Sequence, residues 1–287
     1  MKIERFAQNP IIRPNMDNRM GSNINGPSLI RVPDWIEAPL GKYYVYFGHH
    51  RGLYIRLAYA DRVEGPWKMY EPGTIDIGQT EFVHHIASPD VHVDDERREI
   101  RMYYHGPVEG NGQKTRVAVS QDGIHFDYRP EILGNAYMRV FQWGGAYHAI
   151  AMPGRFYQSA DGLTDFETGP VRYTPDMRHA AVKLDGNVLS VFYTIAHDCP
   201  ERILLTTIDL TGDWMEWQPS EPITILAPET DYEGGNLPLA PSERGPINEP
   251  VRQLRDPAIF REDGRTYLIY AVAGEQGLAL AEITEDK

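Results

Sequence analysis

Cysteine is nearly absent. Cys199 stands alone in 287 residues, so no disulfide within the chain can staple the fold, and a reducing compartment is the natural setting. Long apolar runs are missing too. Nothing approaches the roughly 20 apolar residues of a membrane-spanning helix. The opening MKIERFAQNPIIRP lacks the apolar centre of a secretion signal. A cytoplasmic protein with no membrane partner is the expectation. Basic charge is in short supply, with 28 Lys and Arg against 41 Asp and Glu and a formal net charge of −13. A polyanion would be repelled, which excludes nucleic acid as a partner. No amphipathic helical pattern of ordinary length occurs, which argues against α/β architectures.

What is present is a repeat. KYYVYFGHH, EIRMYYHGP, AYHAIAMPG, VLSVFYTIAHD and TYLIYAVAG are runs rich in Tyr, Val, Ile and Phe that end in loop-forming residues. Each follows a shorter run (PSLIRV, PDVHVD, MRVFQW, HAAVKL, PAIFRE), and turns such as WGGA, LDGN and EDGR join the pair as hairpin signals. A third run comes next, then a turn and an aromatic. Four antiparallel strands occurring five times describe an all-β, five-bladed β-propeller. One domain spans 1–287, with blades near 26–71, 88–131, 137–172, 178–219 and 255–285. The truncated last blade is completed by a strand from the N-terminus. The proline-rich stretch 219–250 reads as a long ordered loop over one face, of the kind that often binds ligand.

In such a blade the first strand lines the central funnel. Its start and the end of the second strand open on the same face, where the pocket is expected. Turns after the third strand fall on the other face, so Asp61, Asp122, Asp161 and Asp209 read as hairpin-turn aspartates. The funnel face collects Asn25, Asp90, Arg139, Arg178, His179, Arg255 and Asp256 from inner strands. His49, His50, His105, Arg155, His197 and Glu275 come from second-strand ends, and His85, Glu233 and Glu249 from loops. Carboxylates, imidazoles, guanidinium groups and aromatics in one concavity suit a polyhydroxylated ligand. They also supply the carboxylates of glycoside chemistry.

Asp-Pro or Pro-Asp at inner-strand openings (ASPDVHV, LRDPAIF) and hairpins such as YIRLAYADRVEGPW and FYQSADGLTDFE resemble the five-bladed propeller glycosidases: family 43, the invertase and levansucrase families, and the family 117 anhydrogalactosidases. The resemblance covers essentially the whole chain. It implies a glycosidase acting on short oligosaccharides or furanosides (arabinoside, galactoside, xyloside or anhydro-sugar) by carboxylate acid/base catalysis. The catalytic candidates are Asp90, Asp256 and Glu249. The binding candidates are Asn25, His49, His50, His85, His105, Arg139, Arg155, His179, His197, Glu233 and Arg255. One departure stands out. Family 43 members usually open the first blade with an aspartate, whereas here that place reads NINGPSL, with Asn25 and no acid. Two further readings stay open: a phosphorylase of this fold, with Arg139, Arg155 and Arg178 holding phosphate, and a non-catalytic sugar-binding propeller. No motif calls for a cofactor. A structural calcium or zinc among funnel histidines is the one metal the geometry would admit, although no metal-ligand spacing marks it.

Overall fold

The computed structural model describes residues 1–284 as five antiparallel sheets around one axis. Strands follow in chain order from the axis outwards. Blade 1 comprises Asn25–Arg31, Tyr43–Gly48, Arg56–Ala60 and Lys68–Tyr70. Blade 2 comprises Ala87–Asp94, Glu99–Val108, Gly112–Ser120 and Asp127–Tyr128, with a short extra pairing by Gly134–Asn135. Blade 3 comprises Arg139–Trp143, Ala146–Ala151, Arg155–Ser159 and Glu167–Val171. Blade 4 comprises Met177–Asp185, Val188–Ile195, Ile203–Asp209 and Ile223–Leu226. Its outer strand therefore lies inside the stretch that the sequence reads as a loop from 219. Blade 5 comprises Arg255–Glu262, Arg265–Ala271 and Leu278–Thr284, and Lys2–Arg5 pairs antiparallel with the last of these. That pairing joins the two ends of the chain in one sheet.

Second strands are apolar without alternation because a neighbouring blade packs on each of their faces. Tyr44, Val45, Tyr46 and Phe47 are all fully buried. The core accordingly divides into five clusters, one at each seam between blades. Burying one Leu or Phe in such a seam contributes about 1.5–3 kcal/mol. The third-strand turns are closed by side chains. Asp122 accepts from the amides of Ile124 and His125, both at 2.8 Å. Asp161 accepts from those of Leu163 and Thr164 at 2.7 and 2.9 Å. Among the described residues no helix is long and apolar enough to cross a membrane.

Candidate active site

One residue per blade stands at the head of each inner strand with left-handed backbone: Gly26, Ser88, Tyr137, His179 and Asp256, with φ of 56°, 49°, 59°, 48° and 48°. In four blades the register against the second strand slips at this place, so the residue bulges towards the axis. Non-glycine residues in this region cost of order 1–3 kcal/mol each and mark places where structure serves something other than stability. Gly26 has no freedom to change. A Cβ there would lie 2.6 Å from the Ser88 Cα, so this first-ring position of blade 1 admits no side chain.

Two positions further along the same strands, Ser28, Asp90, Arg139, Ala181 and Ala258 form a second ring and line a channel cavity of about 280 Å³. Asp90 and Arg139 therefore do not join Asp256 at the funnel mouth, as the sequence reading expects. The acid of SPD belongs one ring deeper than the acid of RDP. Asp90 is also engaged through Oδ2, which accepts from the Val140 amide at 2.9 Å and meets His92 Nε2 at 2.8 Å, with Arg139 3.8 Å from Oδ1. Burial opposes its charge, but His92 and Arg139 hold it below the usual carboxylate range. Arg139 donates to the carbonyls of Ala180 and Pro89 at 2.8 and 2.9 Å.

Above the first ring lies an axial cavity of about 200 Å³, lined by Asn25, His50, His85, His105, Gln113, Tyr137, Arg178, His179 and Arg244 together with Ala87, Met152 and Gly245. Five of the eleven sequence candidates for binding line it: Asn25, His50, His85, His105 and His179. A roomier cleft of about 450 Å³ opens between blades 2 and 3 and includes His92, Asp94 and Arg97. Its charges are largely spent on one another, with Arg97 on Asp94 at 2.8 Å and Arg101 on Glu99 at 2.7 Å.

The axial cavity differs in holding unspent groups. The His105 and Tyr137 rings meet at a tilt with centres 4.5 Å apart, and those of Tyr137 and His179 likewise at 4.8 Å. Burial, together with neighbouring imidazoles and Arg139, keeps the His105 ring neutral, far below the ordinary histidine value. His179 is likewise held neutral by burial, then by Arg178 and Arg255. Arg178 Nε donates to His179 Nε2 at 3.1 Å, while Nδ1 faces Thr194 Oγ1 at 3.3 Å. This network places the ring proton on Nδ1.

Asp256 lies behind this layer, 1 % exposed, and neither carboxyl oxygen has a hydrogen-bond partner. His179 Nε2 lies 3.4 Å from one of them, but its lone pair already accepts from Arg178. Burial pushes the Asp256 carboxyl up to about 6, and the charge of Glu275 adds to the effect. Arg255, expected to touch ligand, is completely buried and pairs with two other acids. It lies 3.2 Å from Glu201 and 3.2 Å from Glu275. Glu275 also meets His50 at 3.1 Å and accepts from Asn23. Burial opposes its charge, but His50 and Arg255 bring it down to about 2.

The remaining candidates fall outside the cavity. His49 borders the same loop as His50, its value lowered to about 4 by burial and Arg56. Arg155 donates to the Gly169 carbonyl at 2.8 Å, within its own blade. The His197 side chain is 60 % exposed, 4.0 Å from Asp176. Glu249, the third catalytic candidate, is exposed on the long loop outside the cavity. Glu233 is completely buried but serves as a clasp, meeting Arg5 Nε and Tyr270 OH at 2.8 Å each. Burial opposes its charge, and Arg5 with two backbone amides holds it below the usual range. It pins the N-terminal strand to the loop. Sequence reasoning missed Tyr137, Gln113, Arg244 and Glu201. Tyr137 could be found by aligning the five inner-strand heads on the residue before Pro27, Pro89 and Pro257, whereas Glu201 and Arg244 carry no local signal. Among the described residues, no group of three or more His, Cys, Asp or Glu is spaced to hold a metal.

The fold is shared with solved glycosidase structures. A glycosyl hydrolase from Bacteroides ovatus superposes with a TM-score of 0.71 at 11 % identity, covering 99 % of this chain and 94 % of that one. An alpha-L-arabinanase from Cellvibrio cellulosa complexed with arabinohexaose gives 0.64 at 12 %, covering 92 % and 93 %. The GH43_1 enzyme from Xanthomonas citri complexed with xylose gives 0.65 at 10 %, covering 96 % and 91 %. At such identities the likeness is one of fold. No protein-family profile matches the chain. By sequence it is 35 % identical over 320 aligned residues to the uncharacterized protein R118 of Acanthamoeba polyphaga mimivirus, covering 98 % of this chain and 90 % of that one. The chain belongs to the same family as that protein.

Proposed function

We propose that the protein is a glycoside hydrolase acting at the end of short oligosaccharides or furanosides, with Asp256 as its proton-carrying carboxyl. The observation that carries the reading is Asp256 itself: buried, unpartnered, held in left-handed backbone and poised near pH 6, behind a cavity on the propeller axis. A carboxyl with a value close to working pH can both give and take a proton. His179, whose Nε2 lies 3.4 Å from Asp256, is part of the cavity wall. Neutral imidazoles and the Asn25 and Gln113 amides supply hydroxyl contacts. The long loop contributes Arg244 and Gly245 to the wall, which narrows the mouth and favours cleavage at chain ends.

The phosphorylase reading loses two of its three arginines, since Arg139 and Arg155 are tied to backbone carbonyls elsewhere. The sugar-binding reading draws on Gly26, where no acid can stand. Sugar release from a panel of arabinosides, galactosides, xylosides, fructosides and anhydrogalactose oligomers, with and without phosphate, separates the three. Hydrolysis without phosphate is expected. Binding with no release from any member of the panel would refute the hydrolase.

A further inference from the structure

The chain carries 41 acidic residues, yet the wall of the axial cavity contains no Asp or Glu. It contains four of the ten histidines (His50, His85, His105 and His179) and two arginines, Arg178 and Arg244. Apart from Asp256, the buried carboxylates nearby are already taken. Glu275 is held by Arg255, His50 and Asn23, and Glu201 lies against Arg255 at 3.2 Å and Arg178 at 3.7 Å.

The two arginines keep donors in reserve. Arg244 uses Nη2 on the Pro175 carbonyl at 2.7 Å and on Asp176 Oδ1 at 3.0 Å. Its Nε and Nη1 have no partner among the described residues. Arg178 uses Nε on His179 at 3.1 Å and Nη1 on the Glu243 carbonyl at 3.0 Å, leaving Nη2 unmatched among the described residues. A neutral sugar offers hydroxyls that need acceptors as well as donors. The wall also offers acceptors in Asn25, Gln113 and the imidazoles, but two guanidinium groups with spare N–H donors, inside a chain of net charge −13, are matched by a group that only accepts and carries negative charge.

We propose that this cavity takes a ligand bearing an oxyanion, held by Arg178 and Arg244 and supplied either by the carboxylate of an acidic sugar or by inorganic phosphate. The proposal rests on the reading of the cavity as the substrate site and deepens it. Guanidinium groups suit both sources, because their N–H donors match the oxygen spacing of carboxylate and phosphate.

Calorimetric titration tests it with D-galacturonate and D-glucuronate against D-galactose and D-glucose, and with sodium phosphate in a phosphate-free buffer. The acidic sugars should bind at least tenfold more tightly than their neutral counterparts, and Arg244→Gln should erase that margin. Arg244 is 45 % exposed, so the variant should fold, which a melting curve checks. If phosphate binds instead, with the same dependence on Arg244, the oxyanion is phosphate and the proposal stands. If neither anion is favoured, or the preference survives in folded Arg244→Gln protein, the proposal is overturned. The underlying site reading fails separately. Anion binding through Arg244 with no hydrolysis of any glycoside would remove the hydrolase and keep the anion site. Hydrolysis of neutral glycosides that depends on Asp256, with no anion preference, would do the reverse.

Discussion

Asp256 and Asp90 stand at the inner strands of blades 5 and 2, two positions apart in the repeat, and meet opposite surroundings. Asp90 has a backbone amide, an imidazole and a nearby guanidinium to stabilise its charge. Asp256 has no hydrogen-bond partner, has buried acids for neighbours, and has a left-handed backbone in addition. A fold gains nothing from leaving a buried carboxyl unsatisfied, which costs about 1–3 kcal/mol or more. It gains stability from a satisfied one. The first ring therefore reads as the chemical end of the channel and the second as its brace. The sharpest break of this comparison is a pair of variants. Asp256→Asn should lower the turnover number by roughly 10²–10⁴-fold, the usual range for losing a general acid or base. Asp90→Asn should lower it by less than about tenfold. Equal losses in steady-state kinetics on the best substrate would show that the two rings act together, as the sequence alone suggests.

The acids beneath Asp256 give the next largest effect. Glu201 is completely buried between Arg255 and Arg178. Glu201→Gln keeps the shape but leaves two guanidinium groups with less opposing charge. Removing one partner of a buried pair costs about 3–5 kcal/mol. Urea unfolding should show a loss of that order. A loss under 1 kcal/mol would mean that Glu275 alone balances Arg255.

How far these assignments could be read from sequence depends on the kind of signal. The blades are legible because each one repeats a local rule: a wholly apolar second strand forced by packing on both faces, then a turn whose glycine adopts positive φ, as at Gly123 and Gly162. The rings are less legible because acids are the wrong marks to align. SPD and RDP both hold a Pro and an Asp, but the residue before the proline takes the ring position. Matching proline to proline puts Ser88 opposite Asp256 and sends Asp90 inwards. Glu201, Arg244 and the Glu233 clasp depend on contacts between distant segments, such as Arg5 on Glu233, and no local pattern encodes those.

The titration of Asp256 offers a smaller effect with a definite sign. Its folded value of about 6 lies above the unfolded value of about 3.9. The folded state therefore holds this proton more tightly. The stabilisation is fully present below pH 4 and is lost as pH rises through 6. Glu275 behaves oppositely. Its value of about 2 gives stability that is present above the unfolded glutamate value and lost as pH falls through 2. Asp256→Asn removes only the first contribution. Between pH 4 and 7 the variant should gain about 2–3 kcal/mol relative to wild type, read from urea midpoints at the two pH values. Parallel profiles would mean that Asp256 is ionised and satisfied, like Asp90.

The smallest expected effect lies at the opposite end of the molecule. The Asp122 carboxylate closes a third-strand turn by accepting from the Ile124 and His125 amides, from Ser120 Oγ at 3.0 Å and from His125 Nδ1 at 2.7 Å. Slight burial opposes its charge, while His125 and the turn amides bring it down to about 2. Asparagine keeps one oxygen able to serve both amides and loses the charge that faces His125. That histidine is 82 % exposed, and exposed pairs contribute about 0–1 kcal/mol. Asp122→Asn should therefore unfold within about 1 kcal/mol of wild type and keep its turnover. The test has force because the roomier 450 Å³ cleft between blades 2 and 3 lies at this far end, where Arg101 donates to the Asp161 carbonyl at 2.7 Å. A fall in turnover beyond tenfold, about 1.4 kcal/mol of barrier, in a protein that unfolds normally would transfer the chemistry from the unsatisfied ring to the satisfied turns. It would also mean that an unpartnered buried carboxyl does not mark the working end of this channel.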